Sequence, residues 1–223
     1  MDDFTVTASG NSCLAWAKYS STSWEKGLAR CGVYESSKNF ANAYSRVGIM
    51  IFNGIDIAFK DTKINSVIIK FVTQNAGQSG TTRSIVWRKS KIQGMDTSVK
   101  GSAYVGDAII TSSGLYYSGT HTITLNKDTN ADAFNTLCEY FSAGNNTLVI
   151  FNSDESQYGS QNWSKNYCCV NSCTITVEYV KGGILHRWNG TSWSEHTVQA
   201  YINGEWVDVT PHCYKNGEWK TGQ

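Results

Sequence analysis

The 223-residue chain has one proline, four histidines and almost no net charge. A single proline beside twenty glycines argues against a disordered or collagen-like chain. Lysine and arginine number 19 against 18 acidic residues, so no basic stripe marks nucleic acid as a partner and no polybasic segment marks a membrane surface. The longest apolar stretch, Val47 to Phe52, is far too short to span a bilayer. The opening Met1-Asp2-Asp3-Phe4 lacks the apolar core of a secretory signal, so synthesis and folding in a cytoplasm are expected, with a leader removed or a different exit such as lysis. No G-x-S-x-G elbow, phosphate-binding loop or H-E-x-x-H occurs, and an enzyme is not expected.

Aromatics are plentiful instead, with eight tryptophans and twelve tyrosines among abundant Ser, Thr, Asn and Gly, a mixture that suits β-sandwiches and surfaces that contact carbohydrate or assemble. Phe4 to Ala8 alternates like an edge strand. Stronger strands are expected at Tyr44–Phe52, Ile64–Val72, Arg83–Ser90, His121–Leu125, Asn146–Phe151 and Cys173–Val180. One helix stands out, because Phe134, Leu137, Cys138 and Phe141 fall at helical spacing. Asp128 or Thr129 is expected to cap it and Gly144 to end it. Many short strands and one inserted helix define a mainly β fold, a jelly-roll-like β-sandwich over residues 1–181.

Residues 182–223 read as a separate hairpin repeat appendage. Trp188 to Trp193, Tyr201 to Trp206 and Tyr214 to Trp219 each hold an aromatic, an Asn-Gly and a Trp, with starts at 188, 201 and 214, thirteen residues apart. Asn-Gly tolerates the positive φ of a type I′ turn, and the flanking aromatics can meet across the strand pair. Isolated hairpins are marginal in water, so Trp188, Trp193, Tyr201, Trp206, Tyr214 and Trp219 are expected to serve assembly or docking.

Seven cysteines in irregular spacing fit reduced, mostly buried thiols better than a disulfide framework. Cys168-Cys169-x-x-x-Cys173 has no second pair nearby, so neither a metal nor a cofactor is expected. Asp154, Glu155, Glu139 and Glu178 are carboxylates near strong elements, but a glycosidase needs two carboxyls about 5–10 Å apart across a sugar, and adjacent loop residues usually point apart. The polar stretch 153–166 offers a different use. Tyr158 and Trp163 could stack on sugar rings while Asp154 and Asn162 bond hydroxyls, making these four the candidate glycan-binding residues. Trp163 folded back over the sheet, or calcium held by Asp154 and Glu155, are the alternatives. The Asn-x-Ser/Thr triplets at Asn145, Asn162 and Asn189 read as chance.

The order of the pieces from Ile64 to Phe71, Phe134 to Ile150 and Thr174 to Tyr179 resembles the DNRLRE-type sandwich modules of bacterial surface and secreted proteins. The Y-x-N-G-x-W units are similar to short repeats that end tail, baseplate and appendage proteins of phages. Together these resemblances imply a non-enzymatic virion structural protein of a tail, baseplate or head fiber. It would be made in the bacterial host cytoplasm and located in the virion. Its partners would be other virion proteins and copies of itself, with receptor binding to a host cell-surface glycan as a further role. A free carbohydrate-binding module or adhesin is the alternative.

Overall fold

Two kinds of apolar pattern organise the sheets. Val67, Ile69 and Phe71 alternate with Ile68, Lys70 and Val72, so one face of that strand is buried while Lys70 is exposed. By contrast, Val47 to Phe52 and Leu148 to Phe151 are apolar at nearly every position and buried on both faces. The computed structural model describes residues 2–9, 14–34, 44–60, 62–74, 83–115, 118–151, 168–181, 184–188, 193–197, 199–202, 205–209, 212–215 and 218–221.

Among the described residues eleven strands precede residue 182: β1 (Asp2–Ser9), β2 (Leu14–Lys18), β3 (Trp24–Lys26), β4 (Ala29–Tyr34), β5 (Tyr44–Ile51), β6 (Thr62–Thr73), β7 (Arg83–Ser90), β8 (Val105–Leu115), β9 (Gly119–Asn126), β10 (Thr147–Ile150) and β11 (Cys168–Lys181). Strands β4 to β11 pair as a nested series. β7 takes β8, β6 takes β9, β5 takes β10 and β4 takes β11, all antiparallel. The two resulting layers run β4-β11-β6-β9 and β5-β10-β7-β8. This is jelly-roll connectivity, as the sequence leads one to expect. β1 lies along β11 beyond the end of β4, and the β2–β3 pair extends β5 on its outer edge.

One strand joins the layers. Residues 29–31 of β4 pair with β11, and residues 32–34 pair with β5. Gly32 sits at this changeover with φ 85, a conformation that L side chains rarely adopt, and so lets the strand turn from one sheet to the other. Gly48 serves close approach. A Cβ there would lie 2.6 Å from Ile150 Cγ1 and 3.0 Å from the Arg30 backbone nitrogen.

The main core lies between the layers. Phe71 meets Trp87 edge to face at 5.0 Å, and Trp87 Nε1 donates to Ser112 Oγ at 3.1 Å, so the indole is both packed and satisfied. A second core forms outside the β5–β10 layer, where Val47, Ile49, Ile51, Val149 and Phe151 meet Tyr104 under the connection 91–104. That cover explains the uninterrupted apolar runs, since each side chain of those strands finds an apolar neighbour on its own face.

Helix α1 (Ala131–Ser142) buries Phe134, Leu137, Tyr140 and Phe141, and Phe141 meets Phe59 of the short 3-10 turn Ile55–Phe59 at 5.3 Å. The expected cap moves by one or two residues. Asn130 occupies the cap position without a side-chain bond, while Asn126 Oδ1 accepts from the Asp128 and Thr129 amides at 3.0 and 2.9 Å. Asn126 therefore makes the turn that feeds the helix, using the short amide side chain that favours such turns.

After β11 come three separate two-stranded sheets: β12 (Ile184–Trp188) with β13 (Trp193–Thr197), β14 (Gln199–Ile202) with β15 (Glu205–Asp208), and β16 (His212–Lys215) with β17 (Glu218–Thr221). No helix among the described residues is long and apolar enough to cross a membrane.

Candidate functional site

Antiparallel strands sort their connections by end. The links β4–β5, β6–β7, β8–β9 and β10–β11 all join strand ends at one end of the sandwich, hereafter the tip. The links β5–β6, β7–β8 and β9–β10 join strand ends at the opposite end, the base, where the 3-10 turn and α1 belong. β11 runs from Cys168 at the tip to Lys181 at the base, where Lys181 pairs with Thr62. The chain thus leaves towards its hairpins from the end opposite the connection 152–167.

The strand end that launches this connection is firmly held. The Phe151 amide donates to the Val86 carbonyl at 3.1 Å, and Arg88 Nε donates to the Phe151 carbonyl at 3.0 Å. The Phe151 ring stacks on Tyr19 at 5.0 Å and 12°. Arg88 Nη1 also reaches the Gly106 carbonyl at 3.2 Å, so one guanidinium ties β10 to β8 across β7. Burial lowers the Arg88 pKa from its ordinary value, yet the group stays cationic near neutrality. At the return end, Cys168 to Val170 are held by β4, and Val170 also pairs with Thr73 of β6.

Beneath the tip lies a cationic layer that the sequence reading missed. The Arg46 guanidinium sits 4.1 Å from the centroid of Trp16, and that of Arg30 lies 5.5 Å away. Arg46 is buried, and Arg30 also meets Glu25 at 3.7 Å. The available signal was an arginine at position 46 leading directly into the apolar run Val47 to Phe52, after a segment that carries Trp16 and Trp24. On the neighbouring layer, His121 Nε2 lies 3.0 Å from Thr73 Oγ1 and its ring 5.2 Å from Phe71. Burial lowers the pKa of His121, which favours neutral imidazole.

Of the candidate glycan residues, Asp154, Tyr158, Asn162 and Trp163 all lie outside the described residues, as does Glu155. The remaining carboxylates are accounted for separately: Glu139 is exposed on α1, and Glu178 accepts a hydrogen bond from Ser66 Oγ. In the hairpins, Trp188 stands opposite Trp193, Tyr201 opposite Trp206 and Tyr214 opposite Trp219. The first unit differs in its sequence. Asn189-Gly190 directly follows its aromatic, whereas Asn203-Gly204 and Asn216-Gly217 sit one residue later, between the closing pairs Ile202–Glu205 and Lys215–Glu218. The aromatic pairing survives that difference.

Cys31, Cys138, Cys168, Cys169 and Cys173 are thiols. Burial raises the pKa of Cys31 and Cys173 well above the usual thiol value and that of Cys138 to about 12. Among the described residues no group of three or more His, Cys, Asp and Glu could hold a metal ion. No protein-family model matches this sequence, and no curated protein aligns with it significantly.

Proposed function

We propose that this chain is a non-enzymatic structural protein of a bacteriophage virion, in a tail, baseplate or head appendage. Its hairpins dock onto neighbouring virion subunits or copies of the chain, and the tip of the sandwich faces outward. The observation that carries this reading is the repeated register of the appendage. Three hairpins place an aromatic opposite a Trp, although Asn-Gly falls one residue earlier in the first unit's sequence. A two-stranded hairpin buries little by itself, so an aromatic pair kept in three units favours a surface that another protein covers. The polarity of the sandwich adds support, since it separates the end joined to the appendage from the end that carries the 152–167 connection. The jelly roll is compatible with many functions and decides nothing alone. Replacing Trp206 and Trp219 together by Ala should convert a defined oligomer into monomer while far-UV circular dichroism of the sandwich is retained. An unchanged oligomer would contradict a docking role for those pairs.

A second reading, a carbohydrate-binding module or adhesin, is favoured by the anchoring of Phe151. Recognition residues on a loop perform best when rigid elements hold its ends. Asp154, Tyr158, Asn162 and Trp163 would then contact a host cell-surface glycan. Trp163→Ala should abolish retention on that glycan without altering the melting temperature; unaltered retention would remove the loop from consideration.

A further inference from the structure

We infer that Cys31 and Cys168 form a redox-responsive pair that closes into a cross-strand disulfide when the protein meets an oxidising medium. Cys31 of β4 and Cys168 of β11 are directly opposed in the antiparallel ladder. Opposed residues in such a ladder have Cα atoms about 4.5 to 5.5 Å apart. Disulfides span Cα separations of about 4.4–6.8 Å, so the backbone already meets the distance requirement. Both side chains enter the same core and are fully buried. Cys169 is also buried, but it pairs with Arg30 and points to the other face of the strand. Cys173 lies farther along β11 and pairs with Phe71 and Ala8. Position therefore selects Cys168 as the partner of Cys31.

The place in the fold gives the bond a consequence. β4 and β11 are the first and last strands of the jelly roll, and among the described residues their ladder holds the pairs Cys168–Cys31, Cys169–Arg30 and Val170–Ala29. A disulfide here would reinforce this ladder and close a loop of 138 residues, from 31 to 168 inclusive. Long loops are those whose closure most restricts the unfolded chain in the entropic account of disulfide stabilisation. As a thiol Cys31 resists exchange, because burial, and then the proximity of Cys168 and Cys169, hold it protonated at neutral pH. The pair would thus stay reduced in a cytoplasm and close slowly outside it.

With glutathione disulfide as oxidant, the deprotonated Cys31 Sγ attacks one glutathione sulfur. A mixed disulfide forms and one glutathione thiolate leaves. Cys168 Sγ, having lost its proton, then attacks the Cys31 sulfur, forms the Cys31–Cys168 bond and expels the second glutathione. Two protein thiols are oxidised, one glutathione disulfide is reduced to two thiols, and the protons pass to the departing thiolates.

The test uses the full chain incubated folded with glutathione disulfide, then denatured, alkylated and digested with trypsin without reduction. Cleavage after Arg30, Lys38, Lys165 and Lys181 places Cys31 in peptide 31–38 and Cys168, Cys169 and Cys173 together in peptide 166–181. The expected result is a cross-link between these peptides, assigned to Cys168 by fragmentation, with a melting temperature raised until dithiothreitol reverses it. Fragmentation makes the assignment without a variant that could fail to fold. Recovery of alkylated Cys31, or its linkage to Cys169 or Cys173, would overturn the proposal. A Cys31–Cys168 link without a gain in melting temperature would overturn the stapling role.

Discussion

At the residue scale, polar atoms fix the layers as much as apolar contact does. The Tyr140 hydroxyl donates to the Thr147 carbonyl at 2.6 Å and accepts from the Ser90 amide at 3.1 Å and from Gln93 Nε2 at 3.0 Å. Tyr140→Phe keeps the ring but leaves buried backbone groups of β7 and β10 without that partner. Urea unfolding should show a loss of about 1–3 kcal/mol. Gly48→Ala would drive a methyl into Ile150 and the Arg30 backbone, and a loss of about 1–3 kcal/mol is expected from such overpacking. The buried thiols give a pH dependence. Cys31 and Cys173 hold their protons in the fold beyond the ordinary thiol value of 9.0, and Cys138 does so to about 12. The unfolded chain releases those protons first, so this contribution is complete below pH 9 and lost as pH rises towards 12. Denaturant midpoints measured from pH 8 to 11 should fall steadily, and a flat profile would contradict the assigned burial. Reduced, mostly buried thiols were expected from the irregular cysteine spacing, whereas the roles of Tyr140 and Gly48 were not legible from residue identity. Tyr140 lies outside the four positions that defined the helix stripe, and Arg46 stands out ahead of its apolar run while the layer that buries it is not written in the local sequence.

Elements were more legible where the pattern was strong. The expected strand at Arg83–Ser90 is β7 itself, and those at Ile64–Val72 and His121–Leu125 lie within β6 and β9. Each has alternation long enough to define a face. The stretch from Gly94 to Gly119 is glycine-spaced without a clear period, and it contains β8. Register shifts between Arg83 and Ile85 and on both sides of Arg88 interrupt the β7–β8 pairing, so β8 lacks a clean period of two. The helix start was misplaced because Asp128 and Thr129 are both good capping types. In the structure they are the donors served by Asn126. Asn126→Ala should therefore cost about 1 kcal/mol through loss of this turn, read as a lower urea midpoint, whereas Asp128→Ala should leave it nearly unchanged.

At the scale of the whole molecule, the jelly-roll-like sandwich class was legible from many short strands and one helix, and the individual strand pairs were not. Pairs such as β4 with β11 join residues more than a hundred positions apart, and nothing local encodes them. The candidate glycan residues of 152–167 remain defined by their sequence, with the structure contributing the anchored strand ends on either side. The hairpin register was legible in advance because Asn-Gly and its flanking aromatics are adjacent in sequence. Assembly through those hairpins is the central claim, and mass by light scattering on the full chain and on a truncation ending at Gly182 tests it most directly. A defined oligomer for the full chain and a folded monomer for the truncation is the predicted result. The same oligomer from both, or a monomeric full chain that associates with no virion subunit, would contradict it.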